Sequence, residues 1–179
     1  MDREVLLRIA AIASHHYGAF TRRMALDAGA TPSMLDRRAR TGEWLRPYEG
    51  VYVVAGSAST WERAVVTAVF ASGSAAVASH ATAAHIWGVI GRPRTLEVTS
   101  SMKGRRPDRP HIIHRSSDLE KQDVVDRSGI PITSIARTLG DVGVPWGQAM
   151  ASPALDEAQR RELTDLRSVA SVLHRVARN

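Results

Sequence analysis

The stretch from Thr31 to Val54, TPSMLDRRARTGEWLRPYEGVYVV, constrains the fold more than any other part of the chain. Thr31 is a residue type that caps a helix by accepting a hydrogen bond from a free backbone N–H. Pro32 falls at the first helical position, where its missing N–H costs nothing. The spacing predicts a helix to about Arg40, stopped at Gly42. A strand over 44–46, a turn at Pro47-Tyr48-Glu49-Gly50 and a return strand over 51–54 should follow. Upstream, apolar residues at Val5, Leu6, Ile9, Ile12 and Ala13 predict a helix over 3–17, ended by Gly18. Thr21 caps a second helix over 22–28, stopped by Gly29. Three helices and a hairpin in this order predict a winged helix-turn-helix over residues 1–58.

Beyond a Ser/Thr-rich joint at 56–60, the pattern changes to mixed α/β over residues 59–179. Helices are expected over 61–71 and 81–87, the second capped by Ser79 and ended by Gly88. Strands are expected over 95–100 and 111–114, and shorter ones over 123–125 and 130–132, with Thr133 as the next cap. A helix should follow over 134–141. Pro145 and Pro153 read as breaks before two last helices, 154–163 and 165–177, with Thr164 capping the second. Leu166, Val169, Leu173 and Val176 share a face of the last helix. That face reads equally as a dimer or partner surface and as a face packed on its own domain. The expected class is thus α/β (α+β): a winged helix, then a small mixed domain with C-terminal helices.

Composition narrows the functions. The sequence holds no cysteine, which excludes a disulfide framework and thiolate metal sites and fits the cytoplasm. The first apolar stretch is interrupted by Arg8 and does not read as a signal peptide. No apolar run is long enough to span a membrane. The formal charge of +6 and the pI of about 10.6 favour an anionic partner, most often nucleic acid. The excess is concentrated between Arg92 and Arg115, while the stretch after residue 115 is slightly acidic.

Three groups of residues are candidates for DNA contact. At about 100° per residue, Leu35 and Ala39 share the inner face of the third helix. Ser33, Arg37 and Arg40 share the outer one, with Arg38 at an edge. Arginine pairs bidentately with guanine, and a serine hydroxyl reaches phosphate or base edges. Thr21, Arg22 and Arg23 open the second helix, where free N–H groups suit phosphate. Arg46 and Tyr48 lie on the hairpin beside them, and Trp44, Val51 and Val53 should pack beneath it. A separate loop with Lys103, Arg105, Arg106 and Arg109 reads either as a track for a phosphate backbone or as a solubilising hairpin tip.

Enzyme chemistry finds no motif, so the expectation is a non-enzyme without cofactor or metal. His80 and His85, and His111 and His114, lack the i, i+4 spacing of a helical zinc motif. Gly73-Ser74 is not followed by the carboxylates a nucleotidyltransferase needs, since no Asp occurs between Asp36 and Asp108. Glu97-Val98-Thr99 lacks the lysine of a restriction-type nuclease, and no G-x-x-x-x-G-K phosphate loop is present.

The blocks FTRRMALDAGATPSMLDRRARTGEWLRPYEGVYVVAG, SHATAAHIWGVIG, GIPITSIARTLGDVG and ALDEAQRREL, in this order, resemble the AbiEi family of bacterial antitoxins and their actinobacterial relatives. The resemblance runs from about Val5 to about His174. It implies a winged helix that binds the operon's own promoter as double-stranded DNA. It also implies a second domain associated with neutralising a nucleotidyltransferase toxin. The winged-helix match falls on 21–50, so the DNA-facing positions named above carry over. Some relatives continue into a domain resembling very-short-patch-repair endonucleases, and the expectation for this chain is a form without it. A two-fold arrangement is usual for such regulators. Two other readings stand beside this one: a protein-interaction module whose winged helix does not bind DNA, and the DNA-recognition portion of a larger nuclease.

Overall fold

The computed structural model describes residues 2–101 and 110–176. The chain forms two compact units, one of residues 1–74 with 128–130 and one of residues 75–127 with 131–179. The division falls after Ser74, whereas the change of sequence pattern lies near residue 58. The helix between these points explains the difference. Its Val65, Val66, Ala68 and Val69 are buried, and it packs on the three strands of the first unit.

The first unit runs α1 (Asp2–His15), β1 (Ala19–Thr21), α2 (Arg22–Asp27), α3 (Pro32–Arg40), β2 (Trp44–Tyr48), β3 (Val51–Val54) and α4 (Trp61–Ala71). This is the order of a winged helix-turn-helix, with one element that the sequence did not reveal. Strand β1 pairs antiparallel with β3, Phe20 opposite Tyr52, and gives the sheet order β1-β3-β2. A three-residue strand offers no alternation to read. Strand β2 also runs two residues further than expected, leaving Glu49 and Gly50 as the tip of the hairpin. Its register with β3 shifts between Leu45 and Tyr48. Pro47, which has no N–H to give a ladder, lies within that irregularity.

The core explains why these elements stay together. Val5, Ile9, Phe20, Ala25, Leu35, Trp44 and Tyr52 form one buried cluster, with Ala39 packed at its margin. The rings of Phe20 and Tyr52 stack at 5.6 Å, and Trp44 meets Phe20 edge-on at 4.9 Å. Aromatic contacts of this kind add roughly 0.5–1.5 kcal/mol each beyond area burial. Met34 is buried as well.

The second unit runs β4 (Val77–Ala78), α5 (His80–Trp87), β5 (Glu97–Ser100), β6 (Ile112–Arg115), a 3-10 turn (Lys121–Asp123), β7 (Val124–Arg127), β8 (Ile130–Thr133), α6 (Ile135–Arg160) and α7 (Leu166–Val176). Its mixed sheet has the order β6-β5-β4-β8-β7. Strands β5 and β6 are parallel, with Thr99 opposite His114. The segment between them is therefore a connection between parallel strands, and the reading of it as a hairpin tip is corrected. Lys103, Arg105, Arg106 and Arg109 lie outside the described residues.

Helix α6 departs most from expectation. It continues from Ile135 to Arg160 through Pro145 and Pro153, where the sequence suggested breaks. Tertiary burial outweighs local propensity here, because Ile135, Leu139, Val142, Ala154 and Ala158 are all buried along its length. Two caps also move by one residue. Ser134, not Thr133, accepts from Arg137 N at the start of α6. Asp165, not Thr164, accepts from Ser168 N at 2.7 Å at the start of α7. Helix α7 packs through Val169 and Val172, while Leu166 and Leu173 stay exposed. A side chain at Gly140 would meet Val172 at 3.1 Å, so the glycine permits that close approach.

Candidate nucleic-acid interface

Helix α3 is fixed at both ends and along its inner side. Thr31 Oγ1 accepts from Met34 N at 3.2 Å, and Leu35 is fully buried beneath the helix. Thr21 Oγ1 caps α2 in the same way, accepting from Met24 N at 3.1 Å. The backbone N–H of Arg22 donates to Gly50 O at 2.7 Å, tying the start of α2 to the tip of the hairpin. The outer face of α3 is thereby set by groups that do not themselves need a ligand. Ser33, Asp36, Arg37 and Arg40 are exposed on it, and Arg37 and Arg40 form no ion pair among the described residues.

The other arginines divide. Arg23 Nε bonds Asp27 Oδ2 at 2.8 Å on the exposed side of α2. Arg38 is held inward. It pairs with Glu43 and its guanidinium lies 5.4 Å from the centre of the Trp44 ring. Glu43 also accepts from Thr41 Oγ1 at 2.9 Å, so Arg38 belongs to a small polar clasp at the end of α3. Arg46 is exposed on β2 with its guanidinium 5.9 Å from the Tyr52 ring centre. Tyr48 is half-buried at the end of the same strand. Trp44, Val51 and Val53 are buried beneath the hairpin, as the sequence suggested.

The second unit holds a different polar constellation. His80 opens α5, Glu97 opens β5 and His114 lies on β6, and one ligand atom from each comes within 4.8 Å of the others. His114 Nε2 lies 2.6 Å from Glu97 Oε2, and the His80 and His114 rings stack at 3.6 Å. Burial, with help from His114, lowers the His80 pKa to about 4, so this imidazole is neutral near pH 7. Burial pushes the Glu97 carboxyl up, but the His114 hydrogen bond, the electrostatic influence of the two neighbouring rings and the Ala81 N–H outweigh it and hold the carboxyl low. The local spacing of the histidine pairs gives no sign of this trio. What joins them is the parallel register of β5 and β6, which local spacing does not encode.

A cavity of about 570 Å³ adjoins the trio, lined by His80 and His114 and by Asp118, Arg137 and Asp141. Asp118, Arg137 and Asp141 belong to a larger ion network. Arg137 bonds Asp118 at 3.2 Å, Asp123 at 3.3 Å and Asp141 at 2.8 Å, and Arg175 bonds Asp123 at 2.6 Å. The network joins the chain between β6 and β7 to α6 and α7.

Residues 7–55 match the model of a family described as "Transcriptional regulator, AbiEi antitoxin". The match covers most of α1 and all of β1, α2, α3, β2 and β3. No curated protein gives a significant match to the chain. No described helix is long and apolar enough to cross a membrane. The winged-helix order and the family match coincide on the same residues, so the first unit is similar to this family of transcriptional regulators.

Proposed function

We propose that the first unit binds double-stranded DNA through α3 and its hairpin, and that the chain regulates its own promoter as the antitoxin of a nucleotidyltransferase toxin. In this reading the protein acts by binding rather than catalysis. The observation that carries it is the outer face of α3, where Ser33, Arg37 and Arg40 are exposed on a helix held by its cap and by Leu35. Arg37 and Arg40 supply base-edge contacts. Arg22 and Arg46 supply phosphate contacts, with Thr21, Arg23 and Tyr48 beside them. Arg38 contributes mainly by holding the end of α3.

The test is binding of the whole chain to the DNA upstream of its own gene, beside random DNA of equal length, across a salt series. Arg37→Ala or Arg40→Ala should cost about 1–3 kcal/mol on the specific site if that residue reads a base. Two arginines on phosphate, Arg22 and Arg46, predict a slope of roughly −1.8 per bound protomer for log affinity against log salt, steeper by about 0.9 for each of Arg37 and Arg40 that meets a phosphate instead of a base. Equal loss on both DNAs reassigns the residue to a phosphate. Absence of binding at low salt refutes the reading. It would select a protein-interaction module instead, which the pairing of Arg23 with Asp27 and of Arg38 with Glu43 favours. Copurification with the product of an adjacent nucleotidyltransferase gene tests the toxin partner.

A further inference from the structure

We propose that His80, Glu97 and His114 form a binding site for a divalent transition-metal cation of the zinc class in the second unit. Two imidazoles and one carboxylate are a donor set that such cations favour. Magnesium and calcium prefer all-oxygen surroundings, and the absence of cysteine from the sequence excludes a thiolate centre.

The scaffold under the trio is the parallel pair of β5 and β6. In the parallel pair, Glu97 is opposite Ile112 and Thr99 is opposite His114. Because side chains alternate along a strand, Glu97 and His114 emerge on one face of the sheet. His80 reaches that face from the start of α5, which is pinned to β5 by the Ser79 N–H donating to Glu97 O at 3.1 Å. His80 has φ +49°, a left-handed conformation that is strained for a non-glycine residue and persists where surrounding structure enforces it. The consequence of that conformation is the placement of its ring against His114.

Supporting contacts follow the pattern of metal ligands, whose second polar atom is held by a neighbour. His80 Nδ1 lies 3.0 Å from Ser79 Oγ, which accepts from the buried Thr99 hydroxyl at 2.8 Å. Nε2 is therefore the His80 nitrogen left for a ligand. The Glu97 carboxylate accepts from the Ala81 N–H in the first turn of α5. Bonds of about 2.0–2.2 Å place any two donors within roughly 4.4 Å of each other. The donors already lie within 4.8 Å, so rotation of half-buried side chains completes the set.

The experiment uses the untagged full chain, freed of metal with a chelator, titrated with zinc against a competing indicator and separately with cobalt(II). The expected result is one equivalent of zinc and a cobalt d–d band in the visible. Glu97→Gln, His114→Gln and His80→Asn should each weaken zinc binding by at least about tenfold. Asn tolerates the left-handed backbone at His80, and Gln preserves shape at Glu97, so these two variants test the site without removing a fold requirement. Circular dichroism checks that each is folded. His85→Gln and His174→Gln should bind as the parent does. No uptake of zinc, or uptake that survives both Glu97→Gln and His80→Asn in folded protein, overturns the proposal.

Discussion

Replacing Arg137 by Met tests the ion network of the second unit. The Arg137 side chain is 3% exposed, and its partners Asp118, Asp123 and Asp141 are 10%, 2% and 6% exposed. Its guanidinium also donates to Ser116 Oγ at 3.0 Å and to the Asp118 carbonyl at 3.3 Å. In Arg137→Met, Asp123 keeps Arg175, whereas Asp118 and Asp141 have no other ion pair among the described residues. Removing one partner of a buried pair costs about 3–5 kcal/mol, because it leaves charge uncompensated in a poorly solvated place. Native-state hydrogen exchange, read on α6 and α7, reports the opening of this unit separately from the other. Exchange there should speed up by roughly two to nearly four powers of ten. Arg137→Lys should lose less, since it keeps the charge, but it cannot span three carboxylates.

The loss should also depend on pH, in a direction fixed by the carboxyls. Burial pushes Asp118 and Asp123 up, but Ser116 and Arg137 on the first, and Arg175, Glu120 N–H and Arg137 on the second, hold both below the ordinary range. Their stabilisation is present above the unfolded carboxyl range and is lost as pH falls through their folded values. Asp141 is the opposite case, raised because burial outweighs Arg137. Without Arg137, both Asp118 and Asp141 take up protons at higher pH than before. The difference between variant and parent should therefore shrink on acidification. A loss below about 1 kcal/mol near neutral pH, or one that grows on acidification, would refute a buried network that depends on Arg137.

Two further substitutions separate fold from recognition in the first unit. Arg38→Ala should destabilise the winged helix by about 1 kcal/mol, through the lost Trp44 contact and Glu43 pair, whereas Arg37→Ala should stay within about 0.5 kcal/mol. Thermal unfolding of the two variants side by side checks this, and equal shifts would contradict the inward placement of Arg38. Gly18→Ala should be strongly destabilising in the same assay. Gly18 has φ +88°, and an added Cβ would meet Ser57 Oγ at 2.5 Å while Ser57 is held by Val54 O at 2.7 Å. An unchanged melting temperature would show that this turn relaxes freely.

What the sequence revealed, and what it hid, follows from the range of the interactions. Thr21 and Thr31 announce two helix starts because a cap is made within three residues of itself. The exposed stripe of Ser33, Arg37 and Arg40 was equally readable, since helical periodicity alone places it. Arg38 was not, because its inward position depends on Trp44 and Glu43 across the turn into β2. The continuity of α6 was hidden because two prolines argue locally for breaks, while burial from Ile135 to Ala158 argues globally against them. His80, Glu97 and His114 are brought together by strand register and by a left-handed backbone at His80, neither of which has a spacing signature.

The formal charge of +6 is a weaker guide to function than the placement of individual charges. In the second unit Arg137 and Arg175 face Asp118, Asp123 and Asp141, so two cations of the count hold structure together and offer nothing to an anionic partner. In the first unit Arg23 and Arg38 are likewise paired, and Asp36 lies on the same outer face as Arg37 and Arg40. The non-specific part of DNA affinity scales with the number of phosphates neutralised, so under the proposed DNA-binding role such a surface should bind random DNA weakly at physiological salt. Shape and hydrogen-bond direction at α3 must then supply a large share of affinity for a true site. Under the proposed role, a regulator built this way would gain discrimination from low background attraction, and each of Arg37 and Arg40 would carry a larger fraction of the specific binding than on a strongly basic face.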